Sequence, residues 1–141
     1  MICRELTTQQ AKDDIVQRIE REFGLVHCFG DETISTEELF LYFSRFCNVI
    51  IFIEDLRVVA VVFLDVEDRS AEIHLIKLHS CNTKIGLKRL WEAIGHNIDE
   101  LHSYITVDKR PITKFWSSLG FDINEKNDGY YATMTKDQYY G

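Results

Sequence analysis

Proline is nearly missing from this 141-residue chain, where Pro111 stands alone. No Gly/Ser-rich linker and no repeat interrupts the sequence, so nothing marks an internal boundary. A single domain over 1–141 is expected, a length that can bury a core without disulfide staples. Long apolar runs are absent too. None approaches the roughly 18 residues of a membrane span, so no membrane role is expected. The opening "MICRELTTQQ" lacks a basic start followed by an apolar core, which predicts a cytoplasmic protein rather than a secreted one. Cysteine is sparse and scattered, at Cys3, Cys28, Cys47 and Cys81, with no C-x-x-C pair. The histidines His27, His74, His79, His96 and His102 form no H-x-x-x-H pair, so no metal site is predicted. Positive charge is in deficit, with 16 Lys+Arg against 23 Asp+Glu and a net charge of −7. Backbone phosphates would be repelled, so nucleic acid is not an expected partner.

What is present reads as alternating helices and strands. "TTQQAKDDIVQRIEREFG" predicts a helix, with Thr7 or Thr8 as cap, an apolar stripe of Ala11, Ile15, Ile19 and Phe23, and Gly24 as stop. "STEELFLYFSRFC" predicts a second, opened by Ser35 and Glu38 as a capping box. "NVIIFIED" and "RVVAVVFLDV" are β-branched runs around a short turn near Asp55-Leu56, which predicts a hairpin. "AEIHLIKL" alternates: Glu72, His74, Ile76 and Leu78 share one face, and Ala71, Ile73, Leu75 and Lys77 the other. A helix is expected from about Ile85 to Ile98, then a strand at "LHSYITV". A strand–helix–strand passage predicts a parallel pair. "RPITKFWSSLGF" has proline in its first turn and Gly120 at its end, as a short helix should. Asp128-Gly129 marks a final hairpin. With a first strand at "ICREL", the class is α+β. It has a mixed central sheet, made of an antiparallel meander, one parallel pair and a C-terminal hairpin, flanked by about four helices.

"IKLHSCNTKIGLKRLWEAI" joins the third strand of the meander to a helix through a short polar loop. A helix N-terminus there offers free N–H groups and a positive dipole end to an anion. On the strand before it, Glu72 and His74 share a face and form a candidate proton relay, while Tyr104, Thr106 and Asp108 share a face of the next strand.

The element order, this loop and the later "KFWSSLGF" together resemble the GNAT superfamily of acyl-CoA N-acyltransferases, over most of the chain. The resemblance implies acetyl-CoA as cofactor and transfer to an amine of a small molecule or protein. The family's cofactor loop runs Arg/Gln-x-x-Gly-x-Gly/Ala. Its last glycine matches Gly86, which puts Cys81 first and Lys84 at the middle glycine. The implied cofactor-binding residues are Cys81, Asn82, Thr83, Lys84, Ile85 and Gly86, with the backbone of Ile76 and Leu78 meeting the pantetheine arm. Glu72, His74 and Asp108 are the implied catalytic candidates. The chain departs from the family at three points. Lys84 replaces a glycine, Trp116 stands where a tyrosine often acts as general acid, and Lys109 stands where an asparagine is usual. These departures also fit a catalytically inactive protein of the same fold that works by binding another protein. Small acetyltransferase-like proteins of tailed phages, including virion components, resemble this pattern.

Overall fold

The computed structural model describes residues 1–29, 33–106, 110–127 and 129–140. The chain builds one seven-stranded mixed sheet and six α-helices among the described residues, as the α+β reading requires. In chain order these are β1 (Ile2–Leu6), α1 (Gln9–Phe23), α2 (Leu25–Phe29), α3 (Thr36–Leu41), β2 (Asn48–Glu54), β3 (Arg57–Glu67) and β4 (Ser70–Lys77). Then come α4 (Thr83–Ile94), β5 (Glu100–Thr106), α5 (Arg110–Ser118), β6 (Asp122–Lys126), β7 (Gly129–Thr135) and α6 (Lys136–Tyr140). The strand order is β1-β2-β3-β4-β5-β7-β6, with β4–β5 a parallel pair.

Contacts gather into two compact units. One comprises Ile2–Asp65 and His74–Cys81. Its core unites Ile15, Val16 and Ile19 of α1 with Leu39 and Phe43, and with Val49, Ile51, Val61 and Phe63 of the sheet. Thr8 caps α1 by accepting from the Ala11 N–H, and Gly24 ends it at φ +78°. Phe23, expected in the buried stripe, is 40% exposed because the helix stops at the next residue. The Asp55-Leu56 turn has both residues at positive φ, the twist a two-residue hairpin needs. Residues Val59 to Leu64 of β3 are all buried, so this strand lost the alternation that would have marked one wet face.

Two features of this unit differ from expectation. The predicted second helix starts as foreseen, with Ser35 accepting from the Glu38 N–H, but passes into a π-helical turn over Tyr42–Phe46. The wider turn slips the apolar register, so Phe43 is buried while Phe46 is 73% exposed. The second is α2, a single apolar turn whose length is too short to show a helical period.

The other unit comprises Met1, Val66–Ile73 and Asn82–Gly141. In it α5 packs on β5, β6 and β7. Leu101, Ser103 and Ile105 of β5 are buried with Ala132 and Met134 of β7, and Trp116 and Phe121 are also buried. Trp116 touches Phe121 with ring centres 4.9 Å apart. The opposite face carries Glu100, His102, Tyr104, Tyr131 and Thr133, all at least partly exposed. Gly129 is needed on that face: a Cβ there would run into the Tyr104 ring. Helix α4 spans Thr83–Ile94, starting earlier and ending sooner than the expected Ile85–Ile98. Asn82 caps it and Gly95 closes it. Ile98 lies beyond the helix yet is buried at 4% exposure. Helix α6 carries Tyr139, whose ring stacks on Trp91 with centres 5.9 Å apart.

Candidate functional site

The loop that opens α4 is built by its own sequence. The Asn82 side chain accepts from the Ile85 N–H at 3.3 Å, and the Asn82 carbonyl accepts from Gly86 N–H at 3.1 Å. The cap therefore fixes the first helical turn, and the N–H groups of Thr83 and Lys84 have no carbonyl within the helix to reach. Gly86 is buried, whereas Lys84 and Ile85 are exposed. Lys84, at the family's glycine position, thus stands at the solvent side of the turn and brings a positive charge to an end already favourable to anions. Cys81 precedes this turn. Burial pushes its thiol up, Lys77 opposes that shift and Glu54 adds to it, so Cys81 brings no thiolate to compete with an anion.

The end of β4 is bulged. The N–H groups of Leu78 and His79 both donate to the Val59 carbonyl, at 2.9 and 3.0 Å. This corrects one expectation. The Leu78 N–H is committed to β3 and is not on offer to a ligand. Backbone groups of successive strand residues point to opposite edges. Ile76 shares the direction of Leu78, whereas the Arg69 carbonyl, of the other parity, accepts from the Asp99 N–H at 2.7 Å. The backbone edge turned away from β3 therefore belongs to Leu75 and Lys77, not to Ile76 and Leu78. The side chains of Ile76 and Leu78 pack against the core instead. Alternation in the sequence gives two candidate edges. Only the bulge and the Arg69 bond tell which is which.

Glu72 lies at the last recorded pair of the parallel ladder, which runs Ser70↔Glu100, Ala71↔Leu101 and Glu72↔His102. Both strands continue past that pair, β4 to Lys77 and β5 to Thr106. Glu72 is half-buried. His74 has a different setting. Its ring meets Phe43 edge-on at 5.2 Å, and Phe29 and Tyr42 each at 6.1 Å. Its Nε2 is shielded from solvent. The Tyr42 hydroxyl donates to Asp65 at 2.6 Å, a bond the sequence reading missed because 23 residues separate the partners. Asp108, the third catalytic candidate, and Lys109 lie outside the described residues, as do the side chain of Thr106 and the turn residue Asp128. Trp116 is 5% exposed and rests against Phe115 and Phe121, so its indole belongs to the core. Among the described residues, no group of three or more His, Cys, Asp or Glu is placed to hold a metal. No helix there is long and apolar enough to cross a membrane.

No family profile and no curated protein matches the sequence. Solved structures do match in fold. Spermidine N-acetyltransferase from Vibrio cholerae, in complex with CoA and spermine, superposes with a TM-score of 0.70 at 14% identity, over 99% of this chain and 97% of that one. The N-acetyltransferase PseH of Campylobacter jejuni gives 0.61 at 14% identity, over 95% and 96%. A GNAT-family acetyltransferase from Streptococcus pneumoniae gives 0.60 at 13%, over 95% and 98%. The chain has the GNAT fold.

Proposed function

We propose that the protein is an acetyl-CoA-dependent N-acetyltransferase acting on an amine of a small molecule or protein. The observation that carries this reading is the start of α4. A capped helical turn whose first N–H groups have no partner within the helix opens α4 directly after the loop that leaves β4. The residues fit a diphosphate: Asn82 holds the turn, Thr83 and Lys84 offer N–H groups, and the Lys84 ammonium is exposed to add charge. The backbone of Leu75 and Lys77 would meet the amide-bearing arm of the cofactor. The spermidine N-acetyltransferase of the same fold is a complex with CoA and spermine, which supports both the cofactor and an amine acceptor.

When bound, acetyl-CoA supplies an activated acyl thioester. The chain supplies the proton acceptor. Glu72 is the better placed of the two described candidates, because it is half-buried on a polar sheet face. His74, walled by three aromatic rings, would act mainly by packing and at most as a relay. A thiol-release assay across a panel of amines, with purified protein and acetyl-CoA, tests the reading. No release with any amine, and no cofactor bound, would remove it.

One observation favours a second reading. Trp116 fills a core position where a general acid would otherwise stand, and an indole N–H is a poor donor to a departing thiolate. A protein of this fold that has lost catalysis and acts by binding a protein, such as a phage-encoded virion or host-interaction protein, would show cofactor-independent function and no acetyl transfer.

A further inference from the structure

Within the unit formed by Asn82–Gly141 and Val66–Ile73, the open sheet face carries a polar groove of about 310 Å³. Ser70, Glu100, His102, Tyr131, Thr133 and Lys126 line it. That volume falls in the range of small-molecule sites. Every one of these residues has the parity of a single face. Directly paired residues project to the same side, and the pairs Ser70↔Glu100, His102↔Thr133 and Lys126↔Gly129 all belong to it. Glu72 pairs with His102, so its side chain projects to this face as well.

The groove is charged unequally. At its β4–β5 side stand Glu100 and, one pair further along the same face, Glu72. At its far side, on β6, stands Lys126. In register Lys126 is level with Gly129 and Thr106, six residues along β5 from Glu100, so the two charges stand at opposite ends of the groove as well as on different strands. Lys126 is held in place: its Nζ lies 5.0 Å from the centre of the Tyr131 ring, which itself leans on Tyr104 at 5.1 Å. On the β4–β5 side, the Ser70 hydroxyl and His102 Nδ1 are hydrogen-bonded at 3.1 Å. A ligand with a positive end and a negative end would lie along the groove, oblique to the strands, in one direction only.

We propose that this groove is the acceptor subsite and that it selects amines bearing an anionic group several bonds away, with the ammonium toward Glu72 and Glu100 and the anion on Lys126. This deepens the acetyltransferase reading and rests on it. It also sets the acceptor apart from a polyamine, whose second ammonium would face Lys126 and be repelled.

The test reads binding, not turnover, so it can fail while acetylation stands. The His102 ring resonances of the full chain are followed by NMR during titration with aminocaproate, hexamethylenediamine or caproate, without cofactor. Aminocaproate should shift them and bind at least about five-fold more tightly than the diamine, the scale of one favourable charge contact exchanged for an unfavourable one. Lys126→Glu should reverse that order, and Glu100→Gln should weaken both amines while leaving caproate unchanged. Lys126 is exposed, so the variants should keep the backbone spectrum of the parent. Equal binding of aminocaproate and diamine, an unchanged order in Lys126→Glu, or no shift at millimolar ligand would overturn the proposal. Failure of the acetyltransferase reading would appear separately, as absence of CoA binding.

Discussion

Glu72 and His102 face each other across β4 and β5 as the last pair of the parallel ladder. Their side chains project to the same face of the sheet, which also carries Ser70 and Glu100. Under the proposed acetyl transfer, Glu72 is the group proposed to take the proton from an incoming amine. Glu72→Gln keeps size and polarity but cannot take the proton. The expected outcome is a loss of about 10²-fold or more in kcat for acetyl transfer, with KM for acetyl-CoA within about two-fold and an unchanged melting temperature. His74→Phe is the comparison. Its ring meets Phe29, Tyr42 and Phe43 edge-on, a packing that a phenyl ring can keep, so the variant should retain most of its activity. Steady-state kinetics on the two variants reads both outcomes.

Burial pushes the Cys3 thiol up to about 11 from 9.0. A thiol whose folded value is raised favours the folded state at pH below the unfolded value, and this contribution is lost as pH climbs through the folded one. Stability should therefore fall between about pH 9 and about pH 11, by on the order of 1 kcal/mol from this group after allowance for solvent. Cys3→Ala should flatten that part of the curve, measured by urea denaturation at stepped pH. At neutral pH, Cys3 should also react with a thiol reagent far more slowly than an unfolded cysteine.

Ser44 is fully buried in the π-helical turn, and its Oγ has no hydrogen-bond partner. A buried hydroxyl without a partner costs desolvation and returns nothing. Ser44→Ala should be neutral or stabilising by up to about 1–2 kcal/mol, measured by the midpoint of urea unfolding with the slope unchanged. The Ser44 carbonyl accepts from the Gln9 side chain at 2.9 Å, and that bond survives the change.

Much of this architecture can be read from local chemistry. The Asp55-Leu56 turn, the Ser35 and Thr8 caps and the Pro111-to-Gly120 helix follow from residue types whose backbone preferences act over a few positions. The π-helical turn does not, because the sequence through Tyr42–Phe46 is as apolar as an α-helix would be and only packing selects the slip. The final helix was legible and was missed. Thr135 and Gln138 form a reciprocal capping box, with the Gln138 N–H donating to the Thr135 hydroxyl at 3.1 Å and the Thr135 N–H to the Gln138 side chain at 2.8 Å.

The candidate site divides in the same way. The cap at Asn82 and the start of α4 lie in consecutive residues, so the loop showed them. The direction of each backbone edge of β4 depends on which neighbour takes which N–H, and one bulge at Leu78–His79 decides it. The groove between Glu100 and Lys126 needs the pairing of β5 with β7 and of β7 with β6. Those registers join residues far apart in the chain, and no single stretch carries them.

The proposal that the start of α4 holds the cofactor's diphosphate is tested most directly by thermal unfolding with and without CoA and acetyl-CoA, on the parent and on Gly86→Trp. At about 100 times the dissociation constant, a bound cofactor adds roughly 2.7 kcal/mol, a rise of several degrees in melting temperature. The account predicts that rise in the parent and its loss in Gly86→Trp, while an indole placed at the exposed Leu56 leaves it intact. A parent protein whose melting temperature ignores millimolar CoA and acetyl-CoA would contradict it.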